Sequence, residues 1–223
     1  MTTSKKIKIG IVGIGMVGAP LARWFEESGY QRGQNLFLYD IDVKKNYFDD
    51  VNLANIIFIT LPTPRNPKDG SCDISIVGGA IKRINKGPKI IVIKSTVPPG
   101  ATEAFQKKYS KHKFLFNPEF LTESRAWEDM IRPDRQIVGF TEKSLEAANF
   151  VLSLLPKAPF MSPWGIGTYR PIRITATEAE FIKYAGNLHF IRKVNWANAL
   201  AKAAGTFGVD YENIRQGMAA DHR

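Results

Sequence analysis

The sequence has little cysteine and no long apolar segment. Among its 223 residues Cys72 is the single cysteine, which excludes an internal disulfide framework and favours a reducing compartment. No apolar run approaches the roughly 20 residues that span a bilayer. The opening residues, MTTSKKIKIG, lack the apolar core of a secretory signal. We therefore expect a cytoplasmic protein with no membrane segment.

The charge is positive but dispersed along the chain. Lysine and arginine number 31 against 21 aspartate and glutamate residues, which gives a net charge of +10. The basic residues form only short groups, at 107–113 and 169–173, and no RNA-recognition or zinc-finger pattern accompanies them. This distribution favours an anionic small ligand over a nucleic acid. No metal-ligand set is predicted.

Short apolar runs alternate with amphipathic segments in the first part of the chain. The predicted strands are Ile7–Val12, Leu36–Tyr39, Ile56–Thr60, Ile90–Lys94, Phe114–Phe116 and Gln136–Phe140. The predicted helices lie near Val17–Glu27, Ile74–Asn85, Thr102–Tyr109 and Ser144–Leu155. The strands are apolar almost throughout, as in a parallel sheet covered on both faces. The pattern predicts an α/β fold, a doubly wound Rossmann-type sheet.

A change in composition marks a second region. Residues 156–173 are rich in proline and glycine and are interpreted as a connection, so we expect a Rossmann-like domain over 1–173 and a helical region over 174–223. A long helix is predicted over 176–204, ending at Gly205, and a short one over Tyr211–Ala219 with Asp210 as its N-cap. The long helix is apolar on nearly all sides, which favours a homodimer formed through it.

A glycine-rich turn follows the first predicted strand and opens the first helix. Gly13, Gly15 and Gly18 have the G-x-G-x-x-G spacing, and Met16 and Val17 lie between them. The first glycine allows a tight turn, the second lets the backbone approach a pyrophosphate, and the third allows close helix packing. The helix N-terminus then faces the phosphates, which predicts a dinucleotide site.

The second predicted strand ends at Asp40, where a carboxylate can bind the ribose hydroxyls of NAD. The same carboxylate repels the 2′-phosphate of NADP. NAD is therefore the predicted cofactor, although Lys44 and Lys45 nearby keep NADP open.

An ammonium and an amide lie one helical turn apart in the long predicted helix. Lys183 and Asn187 are four residues apart in FIKYAGN and share one face of the helix. Taken alone, this segment fits a solvated stripe. Two donors on a rigid element could also stabilise negative charge on a ligand oxygen.

Four further stretches combine with the glycine turn: FITLPTP (58–64), IKSTVPPGAT (93–102), NPEFLTESRAWEDMIRPDRQIVG (117–139) and AEFIKYAGN (179–187). In this order and spacing the chain resembles the UDP-glucose/GDP-mannose dehydrogenase family. The resemblance implies an NAD-dependent oxidoreductase that oxidises the C6 alcohol of a nucleotide-linked sugar to a uronic acid.

The resemblance also implies roles for particular residues. Those expected to contact the cofactor, besides the glycine turn and Asp40, are Lys45, Thr63, Pro64, Thr96 and Glu123. Those expected to contact the nucleotide-sugar substrate are Glu119, Phe120, Leu121, Lys183 and Asn187. Glu119 would be the catalytic glutamate that activates a water, Thr96 would orient that water, and Lys183 with Asn187 would face the C6 oxygen.

Two features of the family are not found in this sequence. The family's nucleophilic cysteine lies in a G-F-G-G-x-C segment beyond the motif at which this chain ends, as does the domain that holds the nucleotide. Cys72 is interpreted as incidental. We therefore expect a fragment of a longer chain or a short relative. A non-catalytic NAD-binding module remains an alternative, as does a β-hydroxyacid dehydrogenase, against which NPEFL and KSTVPPGAT argue.

Overall fold

The computed structural model describes residues 6–163 and 172–221. Its strands are β1 (Ile9–Val12), β2 (Leu36–Tyr39), β3 (Ile56–Ile59), β4 (Ile90–Ile93), β5 (Lys113–Phe116), β6 (Arg135–Ile137), β7 (Gly139–Phe140) and β8 (Phe160–Ser162). Its helices are α1 (Gly18–Glu27), α2 (Ser75–Arg83), α3 (Ala101–Lys108), α4 (Ala126–Ile131), α5 (Leu145–Leu154), α6 (Ala176–Thr206) and α7 (Tyr211–Ala219). Three short 3₁₀ turns lie at Val43–Lys45, Val51–Leu53 and Glu123–Arg125.

Six of the strands form one sheet in the order β2-β1-β3-β4-β5-β7. The first five are parallel, and β7 pairs antiparallel with β5. Strands β6 and β8 form a separate parallel pair. The predicted doubly wound α/β fold is confirmed. Parallel pairing brings the carboxyl ends of β1 to β5 to one edge of the sheet, which is where ligands bind in such folds.

Successive strand residues face two separate apolar cores. Ile9 and Ile11 of β1 belong to one core, with α1 and α5, whereas Val12 belongs to the other, with α2 and α3. Ala176 and Ala179 of α6 join the second core. Helices thus cover both faces, which explains why the strands are apolar at nearly every position.

The prediction of a single strand over residues 136–140 was wrong. The run over 136–140 forms two strands, β6 and β7, which belong to different sheets. The break falls at Val138, whose N–H donates to Ser162 O of β8 while Gly139 and Phe140 pair with β5. The connection predicted over 156–173 contains β8, and its residues 164–171 lie outside the described part of the chain.

The chain divides into two compact units, residues 1–183 and 184–223. The boundary lies inside α6, later than the one predicted before this helix, because the first turns of α6 pack on the sheet. Gly139 makes that packing possible: a Cβ there would lie 2.7 Å from Ala179 Cβ and 2.7 Å from Thr175 O.

The second unit contains the rest of α6 and α7. Helix α6 continues past the predicted end at Gly205 and stops at Thr206, where Gly208 takes the left-handed conformation with φ of 67°. Val209 N–H donates to Ala204 O, as in a Schellman motif. The Asp210 side chain accepts from Glu212 N–H and caps α7, as predicted. No helix of the described residues has the length and apolarity that crossing a membrane requires.

Candidate functional site

The turn between β1 and α1 borders an open space at the edge of the sheet. Gly13 has φ of 96°, and a Cβ there would lie 2.7 Å from Thr60 O. At Gly18 a Cβ would collide with Gly13 O, whereas at Gly15 it would meet nothing within 4 Å. Helix α1 has no side-chain cap, and its N-terminal dipole favours an anion at this end; Ala19 N already donates to Gly15 O at 2.9 Å, and Pro20 has no N–H. Gly15 and the half-buried Val17 therefore border a space that suits a pyrophosphate.

The carboxylate of Asp40 is tied to this turn. Oδ2 accepts from Ile14 N at 2.7 Å and from Lys45 Nζ at 2.9 Å, and Oδ1 accepts from Asp42 N at 2.9 Å. Lys45 Nζ also donates to Ile14 O. Burial raises the pKa of Asp40, but the hydrogen bonds from Asp42, Lys45 and Ile14 outweigh it and hold the pKa below its usual value. Oδ1 has a lone pair left for a ribose hydroxyl.

The loops after β3 and β4 are joined to each other. Thr63 Oγ1 donates to Thr96 O at 2.7 Å, and Leu61 N donates to Ser95 Oγ at 2.8 Å. The thiol of Cys72, interpreted from the sequence as incidental, lies 3.6 Å from Thr96 O. Pro64 is exposed beside Thr63. The turn that carries Thr96 is thus held against the loop that carries Thr63.

Glu119 and Lys183 form a buried ion pair although they are far apart in sequence. Lys183 Nζ lies 3.1 Å from Glu119 Oε2, and the two side chains are 10% and 11% exposed. Glu119 Oε1 accepts from Leu121 N at 2.9 Å. Two cations lie over the ring of Phe120, Arg135 at 3.8 Å and Lys183 at 5.8 Å from its centroid. The structure therefore brings four predicted site residues together.

Sequence reasoning missed a second buried cation. Lys94, at the carboxyl end of β4, is 6% exposed, and its Nζ donates to Asn117 Oδ1 at 2.7 Å. Asn117 is oriented because its amide donates to Gln136 Oε1 and Ile137 O. Burial lowers the pKa of Lys94 to about 8; Glu119 acts in the opposite direction, and Lys183 adds to the lowering. A lysine directly after an all-apolar strand was the available signal.

Comparison with known proteins places this site in a family. Residues 40–153 match the NAD-binding domain of the UDP-glucose/GDP-mannose dehydrogenase family, which is half of the chain. The chain belongs to this family. NAD is accordingly the cofactor, and the glycine turn at 13–18 precedes the matched range.

Relatives of this dehydrogenase-family chain are longer than it is. The UDP-glucose 6-dehydrogenase of Pseudomonas aeruginosa is 34% identical over 76% of this chain and 38% of its own length. The UDP-glucose 6-dehydrogenase TuaD of Bacillus subtilis is 30% identical over 97% of this chain and 53% of its own length. A UDP-glucose dehydrogenase structure from Pyrobaculum islandicum has a TM-score of 0.80 at 25% identity, covering 99% of this chain and 58% of that one. The chain spans roughly half the length of these relatives.

Several predicted site residues besides Pro64 lie on exposed surface. Met16 is 47% exposed on the glycine turn, and Glu123 is exposed at the start of a 3₁₀ turn. Asn187 is exposed on α6, one turn beyond Lys183, and belongs to the second compact unit. In residues 6–163 and 172–221 no group of three or more His, Cys, Asp or Glu side chains could hold a metal ion.

Proposed function

We propose that this chain is the NAD-binding and central-helix part of a dehydrogenase that oxidises the C6 alcohol of a nucleotide-linked sugar to a uronic acid. The observation that carries the proposal is the buried Glu119–Lys183 pair at the carboxyl ends of the strands, in a chain of this family. A module that only bound NAD would not need a buried ion pair beyond the carboxyl end of β5.

The proposed chemistry follows from the donors in this pair. Bound NAD would accept the hydride from C6. One of the three N–H groups of Lys183 is taken by Glu119, so the others can point at the substrate oxygen and stabilise its developing charge. We assign Asn187 as a second donor to that oxygen, and Phe120 with Leu121 as further substrate contacts.

The second oxidation needs a water as well as a base. We propose that Glu119 takes the proton from this water and that Thr96 orients it, while Thr63, Pro64 and Glu123 line the cofactor. Glu119 can act in this way only when its bond to Lys183 is exchanged for one to water. Glu119 in turn raises the pKa of the nearby buried Lys94, against the larger effect of burial.

Incubation with NAD and a nucleotide sugar tests the proposal. UDP-glucose, UDP-N-acetyl-hexosamines and GDP-mannose are each added, NADH is followed by absorbance, and acid is sought by mass spectrometry. We expect this chain to bind NAD but to form no uronic acid, and the chain extended to a G-F-G-G-x-C segment to form two NADH per sugar. Lys183→Met in the extended chain should abolish both the formation of NADH and the formation of uronic acid. Sustained turnover by residues 1–223 alone would contradict the assignment of the nucleophile.

We also propose that two copies associate through the 176–204 helix. Large apolar side chains of α6 are exposed in the single chain, among them Leu188, Phe190, Ile191, Val194 and Trp196 at 54–60%. Exposed apolar patches of this kind mark interaction surfaces. Sedimentation at micromolar concentration should give about twice the 25.0 kDa chain mass, and a monomer would contradict the dimer. A cytoplasmic location is part of the proposal and rests on the cysteine content.

A further inference from the structure

A carboxylate of α6 caps a different helix. Glu180 is fully buried; its Oε2 accepts from Gly100 N at 2.5 Å and its Oε1 from Thr102 N at 2.8 Å. These amides form the N-terminus of α3, whose N-cap residue, Gly100, has no side chain to cap them. Glu180 lies 78 to 80 residues away in sequence and provides the side-chain cap that a local Ser or Asp normally provides.

The cap comes from a distant element because position 100 is poorly suited to supply one. Gly100 has a left-handed φ of 90°, so a side chain there would be strained although a Cβ would meet nothing within 4 Å. Burial raises the pKa of Glu180, since the charged form of its carboxyl group is costly in the interior. The cap from residue 180 also joins α6 to the turn that precedes α3.

Both joined elements carry residues of the candidate site. The turn before α3 contains Thr96, which is bonded to Thr63 of the neighbouring loop. On α6, Lys183 follows Glu180 by three residues and is paired with Glu119. Two hydrogen bonds of Glu180 thus set the spacing between the Thr96 turn and the helix that carries Lys183.

Directional bonds add to the apolar packing of α6 on the sheet. The contact with Gly139 is made by the small residues Ala176 and Ala179, and Ile182 packs against the same core. A carboxylate that accepts two N–H groups restrains both the height and the rotation of the helix, because hydrogen bonds weaken steeply away from their preferred angle.

We propose that Glu180 is a positioning residue that fixes the nicotinamide half of the cofactor site relative to Lys183. The proposal rests on the proposed function. In the strand order β2-β1-β3-β4, Asp40 lies on one side of the glycine turn and Thr96 on the other. An adenosine ribose at Asp40 therefore sends the other half of a dinucleotide toward β4 and the turn that Glu180 holds.

Calorimetry with two ligands separates positioning from a general loss of structure. NAD and ADP are titrated into the wild-type chain, Glu180→Gln and the control Glu178→Gln. Glu178 lies on the same helix but is exposed, and among the described residues its carboxylate bonds to Thr175 at the helix start. We expect Glu180→Gln to lower the affinity for NAD roughly tenfold and the affinity for ADP less than about twofold. The reason is that one of two charge-assisted bonds is lost on the nicotinamide side. Glu178→Gln should leave both affinities unchanged.

Each other outcome counts against the inference. Unchanged NAD affinity in folded Glu180→Gln would overturn it, as would equal losses for NAD and ADP, which indicate a purely structural role. If Glu180→Gln does not fold, Glu180→Asp, which keeps the charge but shortens the reach, must show the same selective loss of NAD affinity. A wild-type chain that binds neither ligand would overturn the proposed function and the inference together, whereas an insensitive Glu180→Gln overturns the inference alone.

Discussion

The burial of the Lys94 ammonium group predicts how the free energy of unfolding depends on pH. Burial lowers its pKa to about 8 from the usual 10.5. Between these values the unfolded chain holds a proton that the folded chain does not, so the free energy of unfolding of the wild type should rise with pH. Below pH 8 the lysine is protonated in both states, and the penalty for burying its charge is fully present.

The size of this effect follows from the two pKa values. Their difference corresponds to about 3 kcal/mol of penalty at neutral pH. Lys94→Met removes the charge and keeps most of the volume, but it leaves Asn117 Oδ1 without its donor, which costs about 1 to 3 kcal/mol. The two changes roughly cancel at pH 7. At pH 10 the wild type has lost most of its penalty. The free energy of unfolding of the variant relative to the wild type should therefore be lower at pH 10 than at pH 7 by about 2 to 3 kcal/mol.

Urea unfolding followed by tryptophan fluorescence at several values between pH 7 and pH 10 measures this difference. The control is Lys113→Met, which replaces an exposed lysine at the start of β5 by the same residue. A constant difference for Lys94→Met over the same range would refute the reasoning, because it would mean that the folded chain holds this proton as strongly as the unfolded chain does.

Three further comparisons test the packing, the ion pair and the cofactor contact. Gly139→Ala should lower the free energy of unfolding in urea by about 1 to 3 kcal/mol, because its Cβ meets Thr175 O and α6, whereas Gly79→Ala, in open space on α2, should raise it slightly. Glu119→Gln should destabilise more than Lys183→Met, since it leaves two buried ammonium groups without their carboxylate; the reverse order in urea would contradict the charge argument. Asp40→Ala should weaken NAD more than NADP in calorimetry, and equal losses would exclude the ribose contact.

Much of the fold could be predicted because its signals are local. The apolar runs of β1 to β5 have no polar face, which identifies strands of a covered parallel sheet, and their ends were predicted within two residues. The Asp210 cap of α7 was predicted from one residue type before a helical pattern. The division of residues 136–140 was not predictable, because the run is continuous and its two halves differ only in the strands they pair with.

The sequence could predict which residues belong to the candidate site but not how they contact one another. Glu119 and Lys183 stand out by motif, yet 64 residues separate them, and nothing local says that they form an ion pair. Lys94 and Glu180 were missed because lysine and glutamate usually face water. Their burial depends on partners from distant segments, Asn117 for the one and the α3 amides for the other.

The sequence by itself determined the doubly wound sheet, the glycine turn and the residue types at the ends of the strands, because periodicity and backbone freedom act over a few residues. The tertiary structure alone decided which charged side chains are buried together. An ion gains stability in the interior only from partners that the chain brings to it from elsewhere. Glu180 lies at the amides of α3, and Lys183 beside Glu119, because α6 packs on the second core, where Ala176 and Ala179 contact Gly139.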